Sequence, residues 1–232
     1  MRSQQLDRND EGRFLELFGE FDSFVKNLHG LYFDSLTGYQ LISKHLTEEQ
    51  ETVARLLRGD PEAEVSFQET CHLPHSHIVG ENPTFSWLYV PTQAELKNRN
   101  GMCGENEWRL GNYSVVIAYA YWECHLRREV ALALEILDPH ECDNEKVESI
   151  LSKHVSSDFW GSLGYFRNSI LHANGKASSK ISAYKLYKWF KPDDPIRLDK
   201  AKMREIFLGM IDYRNELHSK SLADDSFPIT PN

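Results

Sequence analysis

The sequence predicts an all-α fold with a core of packed helices. Apolar residues recur at the helical spacing of three and four over most of the chain. Capping residues begin these stretches, and glycine or proline ends them. The composition, with 41% hydrophobic and 26% charged residues, is typical of a globular protein. A chain of 232 residues can therefore bury a sizeable core, as one large domain or two small ones.

The N-terminal part, residues 1–59, is predicted to form helices that pack on that core. Residues 13–30 follow the helical period closely, and a weaker version of the period continues to Gly38, which we expect to interrupt it. Thr47 begins a capping-box pattern, which predicts the start of a further helix that stops at Gly59.

Residues 60–110 predict an irregular insert with some β-structure. The segment "AEVSFQET", residues 63–70, alternates between apolar and polar residues over a short span. The segment "TFSWLYV", residues 84–90, is rich in aromatic residues that favour strands. Prolines and glycines surround both segments and indicate loops. We therefore expect a short hairpin here.

Residues 111–222 are predicted to form the main helical bundle. The strongest helical period runs from Asn112 to Leu137 and ends at the "DPH" that contains Pro139. Asp143 is expected to cap the short helix that follows it.

The later helices of this bundle are also bounded by sequence signals. Ser157 is expected to cap a helix that runs from Asp158 to about His172 and stops at the "NG" of residues 174–175. Another helix is predicted within 177–190, and the last is predicted from after Asp199 to about Lys220. Residues 223–232 form an acidic tail.

Charge is distributed unevenly along this acidic chain, whose formal net charge is −9. Residues 1–150 hold 13 Lys and Arg against 26 Asp and Glu, whereas residues 151–222 hold 13 against 7. A basic region within an acidic protein is compatible with a site for a polyanionic substrate.

Cellular location and redox state are inferred from what the sequence lacks. No run of about 18 apolar residues offers a membrane span, and the N-terminal residues lack the apolar centre of a signal peptide. We expect a cytoplasmic protein that binds no membrane. The four scattered cysteines are expected to be free thiols, because no spacing suggests a disulfide framework; they are Cys71, Cys103, Cys124 and Cys142.

The segment "YFRNSILHANG", residues 165–175, places Arg167, Asn168 and His172 at the end of a predicted helix in the basic region. The next sixteen residues, 176–191, contain five lysines and no acid. Their aromatic residues are Tyr184, Tyr187, Trp189 and Phe190. Lysines can contact phosphates and aromatic rings can stack on bases, which favours a nucleic-acid partner. Two plainer interpretations remain open: a solvated lysine face over buried rings, and an Arg167–His172 pair with only a capping or ion-pairing role.

The segment "RNSILH" resembles the R-x4-6-H motif of HEPN domains, in the form with a polar residue directly after the arginine. The resemblance covers about residues 111–222. It implies an all-α bundle that acts as a metal-independent endoribonuclease without a cofactor, in toxin–antitoxin or phage-defence systems. It also implies a homodimer that brings two copies of the motif helix into one cleft, with an antitoxin or another protein as a partner. The alternative is a catalytically inactive HEPN module that binds a partner protein or a nucleotide.

The chemistry of RNA cleavage suits these residue types. The 2′-hydroxyl of RNA can act as nucleophile without a metal, and His172 can accept or deliver the proton. Arg167 can stabilise the charge on the phosphate, and Asn168 can bond to phosphate or orient the histidine. On a helix, Arg167 and His172 are about 140° apart and Asn168 and His172 about 40° apart, so one narrow face cannot hold all three. The lysines expected to bind RNA are Lys176, Lys180, Lys185 and Lys188.

Glu123 and a cysteine–histidine cluster complete the candidate residues. Glu123 lies among apolar residues in "AYAYWE", which resembles an earlier core helix of the HEPN family. We expect it either to be the buried partner of an Arg or Lys, or to polarise the catalytic site. The segment "CHLPHSH" offers metal-compatible donors, namely Cys71, His72, His75 and His77. A metal-dependent hydrolase at these residues is a weaker third hypothesis, since no second cluster completes a familiar zinc spacing.

Overall fold

The computed structural model describes residues 7–57, 59–71, 91–183 and 185–222; at 7–12, 182–183 and 220–222 it describes the backbone only. Seven helices account for 76% of the described residues, which contain no strand. The prediction of an all-α fold is confirmed. No helix in these ranges has a stretch long and apolar enough to cross a bilayer.

The helices follow one another along the chain as α1 to α7. They are α1 (Asp7–Leu56), α2 (Pro61–Thr70), α3 (Gln93–Asn100), α4 (Glu105–Ala133), α5 (Asn144–His154), α6 (Asp158–His172) and α7 (Lys200–Leu222). Helix α4 contains a π-helical turn at Trp122–Leu126, between α-helical Glu105–Tyr121 and Arg127–Ala133. The chain divides into two compact units. The first unit comprises residues 1–31 and 111–232, and the second comprises residues 32–110.

The core of the first unit is aromatic. Trp122 of α4 and Trp160 of α6 are stacked, with ring centroids 4.9 Å apart and planes within 2° of parallel. Tyr213 of α7 meets both rings edge-on, at 5.3 and 5.7 Å. Phe21 of α1 approaches Trp160 at 6.4 Å. Four helices thus meet at one cluster of rings, which fixes the position of α6.

In the second unit, residues 32–56 of α1 belong with α2, α3 and the start of α4. Leu46 and Leu96 are buried. The ammonium of Lys97 donates to the side-chain oxygen of Gln50 at 2.7 Å. The predicted start of a helix at Thr47 is wrong, because α1 runs through this position without a break and the Thr47 hydroxyl donates to the Ser43 carbonyl at 2.9 Å. Gly38 does not interrupt α1 either.

The strand expected at 63–70 is wrong, because this segment belongs to α2. The Asp60 carboxylate accepts hydrogen bonds from the backbone N–H groups of Glu62 and Ala63, and Pro61 occupies the first helical position. These signals for the start of a helix have a stronger effect than the short alternation of apolar and polar residues that suggested a strand. The aromatic segment 84–90 and the acidic tail 223–232 lie outside the described residues.

Candidate functional site

The three motif residues lie on the C-terminal half of α6, whose predicted ends are confirmed. The Ser157 hydroxyl accepts from the N–H of Phe159 at 3.2 Å and so caps the start of the helix. Asn174 and Gly175 adopt positive φ values of 52° and 72°, which end it. The backbone N–H of Gly175 donates back to the Ser169 carbonyl at 3.0 Å.

Arg167 and Asn168 are joined, whereas His172 stands apart. The Nη1 of Arg167 donates to the Oδ1 of Asn168 at 2.8 Å. His172 is the exposed last residue of α6, and no side-chain hydrogen bond joins it to another residue within the described ranges. Neither Arg167 nor His172 has a carboxylate partner among these residues. One chain therefore assembles two of the three motif residues and leaves its arginine charge unneutralised.

Tyr119 of α4 lies beneath Arg167, and the sequence did not identify it as a site residue. The guanidinium carbon of Arg167 is 6.0 Å from the centre of the Tyr119 ring. The ring comes this close because Gly164 has no side chain; a Cβ there would lie 2.7 Å from the Cε2 of Tyr119. The sequence signal that could have identified Tyr119 was its spacing of four residues from Glu123, because residues four positions apart lie on the same face of a helix.

Glu123 lies in the π-helical turn of α4 and is exposed, so the expectation of a buried carboxylate is wrong. A π-helical turn holds more residues than an α-helical one, which rotates Glu123 away from the apolar face on which a regular period would place it. Glu123 accepts a hydrogen bond from the Tyr119 hydroxyl. Burial and then the negative charge of Glu123 raise the pKa of Tyr119, so the phenol stays protonated at neutral pH.

Arg127, at the end of the π-helical turn, is tied to α5. Its Nη1 donates to both carboxylate oxygens of Glu148, at 2.9 and 3.2 Å, and its Nη2 donates to the Ser152 hydroxyl at 3.1 Å. Unlike that of Arg167, its charge is therefore compensated. Arg167 therefore differs from Arg127 in keeping a positive charge that an external anion could bind.

The basic segment 176–191 is mostly irregular, not helical. Of the helix predicted within 177–190, a single 3-10 turn forms at Ser179–Ala183. Trp189 stacks on Phe166 of α6, with centroids 5.8 Å apart and planes within 7° of parallel. Tyr187 lies 4.5 Å from Trp189. These rings are half-buried. The interpretation as packed rings beneath exposed lysines therefore fits them better than the interpretation as free rings on which RNA bases could stack. Tyr184 lies outside the described residues.

The four candidate RNA-binding lysines are exposed but do not all lie near the motif. Lys176 follows Gly175 and lies four residues after the end of α6 at His172. Lys185 instead pairs with Asp158 at 3.0 Å, at the opposite end of α6. The two ends of this 15-residue helix are about 21 Å apart along its axis. Lys176 is therefore near His172, and Lys185 is not.

The cysteine–histidine cluster is described only in part. Cys71 is half-buried, and His72, His75 and His77 lie outside the described residues. All four cysteines are free thiols, as predicted. Among the residues that the structure describes, no group of three or more His, Cys, Asp or Glu side chains could hold a metal ion.

Comparison of the chain with protein-family models, with curated proteins and with solved structures finds no match. A proposal about function must therefore be based on the chemistry of the site itself.

Proposed function

We propose that this protein is a metal-independent endoribonuclease of the HEPN type that acts as a toxin or defence effector. The observation that carries the proposal is the arginine and the histidine at the end of α6. Arg167 is held by Asn168 at 2.8 Å, His172 is exposed five residues further on, and neither Arg167 nor His172 has a carboxylate partner among the described residues. Such a site has a positive charge to offer to a phosphate and an imidazole to move a proton.

Each motif residue has a defined task in the proposed reaction. His172 takes the proton from the ribose 2′-hydroxyl, and the 2′-oxygen attacks phosphorus. The P–O5′ bond breaks, which leaves a 2′,3′-cyclic phosphate on one fragment and a 5′-hydroxyl on the other. Arg167 binds the non-bridging oxygens, where charge increases in the transition state. Asn168 accepts from one nitrogen of Arg167 and so limits the orientations of the guanidinium.

A second copy of the chain completes the proposed site. In one copy, the side chains of Arg167 and His172 project about 140° apart around α6. They therefore do not converge on a single phosphate. A two-fold axis beside the last turn of α6 brings two motifs to one cleft, where the second His172 can protonate the leaving oxygen. Asn168, Leu171 and His172 are exposed on this turn and are available to such a contact.

RNA cleavage in EDTA tests the function, with His172→Ala as the decisive variant. We expect the wild-type chain to cleave single-stranded RNA to 2′,3′-cyclic phosphate ends, and His172→Ala to be at least about 10²-fold slower because proton transfer is lost. His154→Ala is the matched control, since His154 is also the exposed last residue of its helix, α5. It should cleave as fast as the wild type.

The other outcomes assign the chain differently. Cleavage that requires added zinc would favour a metal-dependent hydrolase at residues 71–77. The absence of cleavage with and without metal would favour the inactive module that binds a partner protein or a nucleotide. Cleavage by His172→Ala at the wild-type rate would refute the assignment of the motif as the active site.

A further inference from the structure

No step of the proposed reaction uses Tyr119 of α4, although this residue contacts the arginine of the motif. The centre of its ring lies 6.0 Å from the guanidinium carbon of Arg167. An arginine is attracted to the face of an aromatic ring within about 6 Å. The Tyr119 hydroxyl donates to Glu123, four residues further along α4. Tyr119 thus meets the cation of the motif with its ring and a carboxylate with its hydroxyl.

Gly164 of α6 provides the space for this ring. A Cβ at residue 164 would lie 2.7 Å from the Cε2 of Tyr119 and 3.0 Å from its hydroxyl oxygen. Gly164 precedes Arg167 by three residues, so both lie on one face of α6. A side chain on an α-helix leans toward the N-terminus and covers the preceding turn. The guanidinium of Arg167 therefore lies over the turn that contains Gly164, where the Tyr119 ring packs.

The Arg167 side chain needs support, because a long arginine side chain loses much conformational entropy when it is fixed. Asn168 accepts from its Nη1 at 2.8 Å, but Asn168 is itself exposed. The Tyr119 ring is half-buried and is packed against the backbone of α6 at Gly164. This second contact reduces the number of rotamers of Arg167 before a phosphate binds, which lowers the entropic cost of binding in the productive geometry.

We propose that Tyr119 is a positioning residue for Arg167, in which the face of the ring holds the guanidinium in the orientation that binds the scissile phosphate. This inference rests on the proposed ribonuclease function and adds to it a residue outside the motif. Burial and the charge of Glu123 raise the pKa of Tyr119, so the phenol is neutral at neutral pH. The ring therefore holds the cation without neutralising it.

A double-mutant cycle on RNA cleavage in EDTA tests this role. Tyr119→Leu removes the ring and keeps an apolar side chain, and we expect kcat to fall about tenfold. KM should stay within about threefold of the wild type, because the orientation of Arg167 matters most in the transition state. In the Arg167→Ala background, Tyr119→Leu should cause no further loss, since there is no guanidinium to hold. General damage to the fold would lower the rate in both backgrounds.

Two further variants separate the ring from the hydroxyl and from packing in general. Tyr119→Phe keeps the ring and loses the contact with Glu123, and its rate should stay within about threefold of the wild type. Tyr39→Leu is the matched control, because Tyr39 is also half-buried but belongs to the second unit. It should cleave as fast as the wild type. Thermal unfolding of each variant shows that it is folded.

The Nε–Hε signals of the arginines provide a measurement that needs no cleavage. NMR spectroscopy of the isotope-labelled full chain identifies the Arg167 signal by its absence from Arg167→Lys. Because the current of an aromatic ring shifts nuclei above its face upfield, we expect this signal upfield of that of the exposed Arg204. The shift should persist in Tyr119→Phe and disappear in Tyr119→Leu. Should Tyr119→Leu not fold, the absence of the shift from the wild type would still contradict the proposal.

Three kinetic results would overturn the role of the ring while the ribonuclease function stands. The first is a wild-type rate in Tyr119→Leu, and the second is an equal loss from Tyr119→Leu with and without Arg167. The third is an equal loss in Tyr119→Phe and Tyr119→Leu, which would assign the effect to the hydroxyl. The absence of cleavage by the wild type is a different failure, because it would refute the ribonuclease function and, with it, any role of Tyr119 in cleavage.

Discussion

Arg167 is held by two groups that leave its charge intact. The amide oxygen of Asn168 accepts from one guanidinium nitrogen at 2.8 Å, and the Tyr119 ring lies 6.0 Å from the guanidinium carbon. An amide and a phenol orient the cation without neutralising it, whereas the carboxylate of Glu148 compensates Arg127. Glu123 acts one step away, through the hydroxyl of Tyr119. Arg167 thus keeps a positive charge that the proposed reaction would use to bind a phosphate.

Substitution of Arg167 should separate its charge from its geometry. Arg167→Ala should slow RNA cleavage by about 10²-fold through loss of charge stabilisation in the transition state. Arg167→Lys should not restore the rate, because an ammonium keeps the charge but lacks the planar fork that binds two phosphate oxygens. Rates with saturating RNA in EDTA provide the measurement. Arg204→Ala, at an exposed position of α7, is the control and should leave the rate unchanged.

Full activity of Arg167→Lys would show that a point charge suffices at this position. The role proposed for the bidentate guanidinium of Arg167 would then be wrong, although the proposed role of His172 would not be affected.

Some residues of the site could be predicted from sequence and others could not. Ser157 and the "NG" stop were predictable because a cap depends on a side chain and on backbone groups within a few residues. Tyr119 was not predictable, because its importance depends on contact with Gly164, 45 positions later in the chain. The exposure of Glu123 depends on a π-helical turn, which the hydrophobic period did not reveal.

At the scale of the helix, α6 contains two glycines with opposite requirements. A Cβ at Gly164 would meet the Tyr119 ring at 2.7 Å, whereas a Cβ at Gly161 would meet nothing within 4 Å. Both lie in the same regular helix, so the intrinsic helix propensity of a substitution is similar at the two positions.

The two glycine-to-alanine variants should therefore change the free energy of unfolding in opposite directions. Gly164→Ala should lower the free energy of unfolding by about 1–3 kcal/mol, because the ring must move in a packed region. Gly161→Ala should raise it by about 0.5–1 kcal/mol, because alanine favours the helix. Urea denaturation measures both. Gly164→Ala should also slow RNA cleavage, since Tyr119 supports Arg167; equal stability of the two variants would contradict the close packing of the ring.

The limits of prediction at the helix scale have particular physical causes. Gly38 was expected to interrupt α1, but a glycine inside a helix costs only about 1 kcal/mol. Burial of Tyr32 and Leu36 in the neighbouring turns outweighs that cost. The segment 177–190 has a helical pattern, yet packing of Trp189 against Phe166 holds it in an irregular path. In both places, tertiary packing has a stronger effect on the backbone conformation than the local secondary-structure propensity of the sequence.

Over the whole molecule, the local distribution of charge matters more for an RNA partner than the net charge does. Residues 151–222 carry the excess of positive charge, although the chain as a whole has a net charge of −9. The proposed RNA site lies at the His172 end of α6, within this basic part of the chain. An RNA partner is therefore compatible with the local charge of this part of the chain, although the net charge of the whole chain is negative.

The proposed homodimer is tested by a pair of leucines that are equally exposed. Leu171, beside the motif on α6, and Leu208 of α7 each retain 50% exposure. The wild-type chain should sediment as a dimer at micromolar concentration. Leu171→Asp should sediment as a monomer and lose RNA cleavage, because a buried unpaired carboxylate at a helix contact is costly. Leu208→Asp should remain a dimer with unchanged activity. An active Leu171→Asp monomer would mean that one copy of the motif is sufficient for cleavage, since Arg167 and His172 would then act without the second chain.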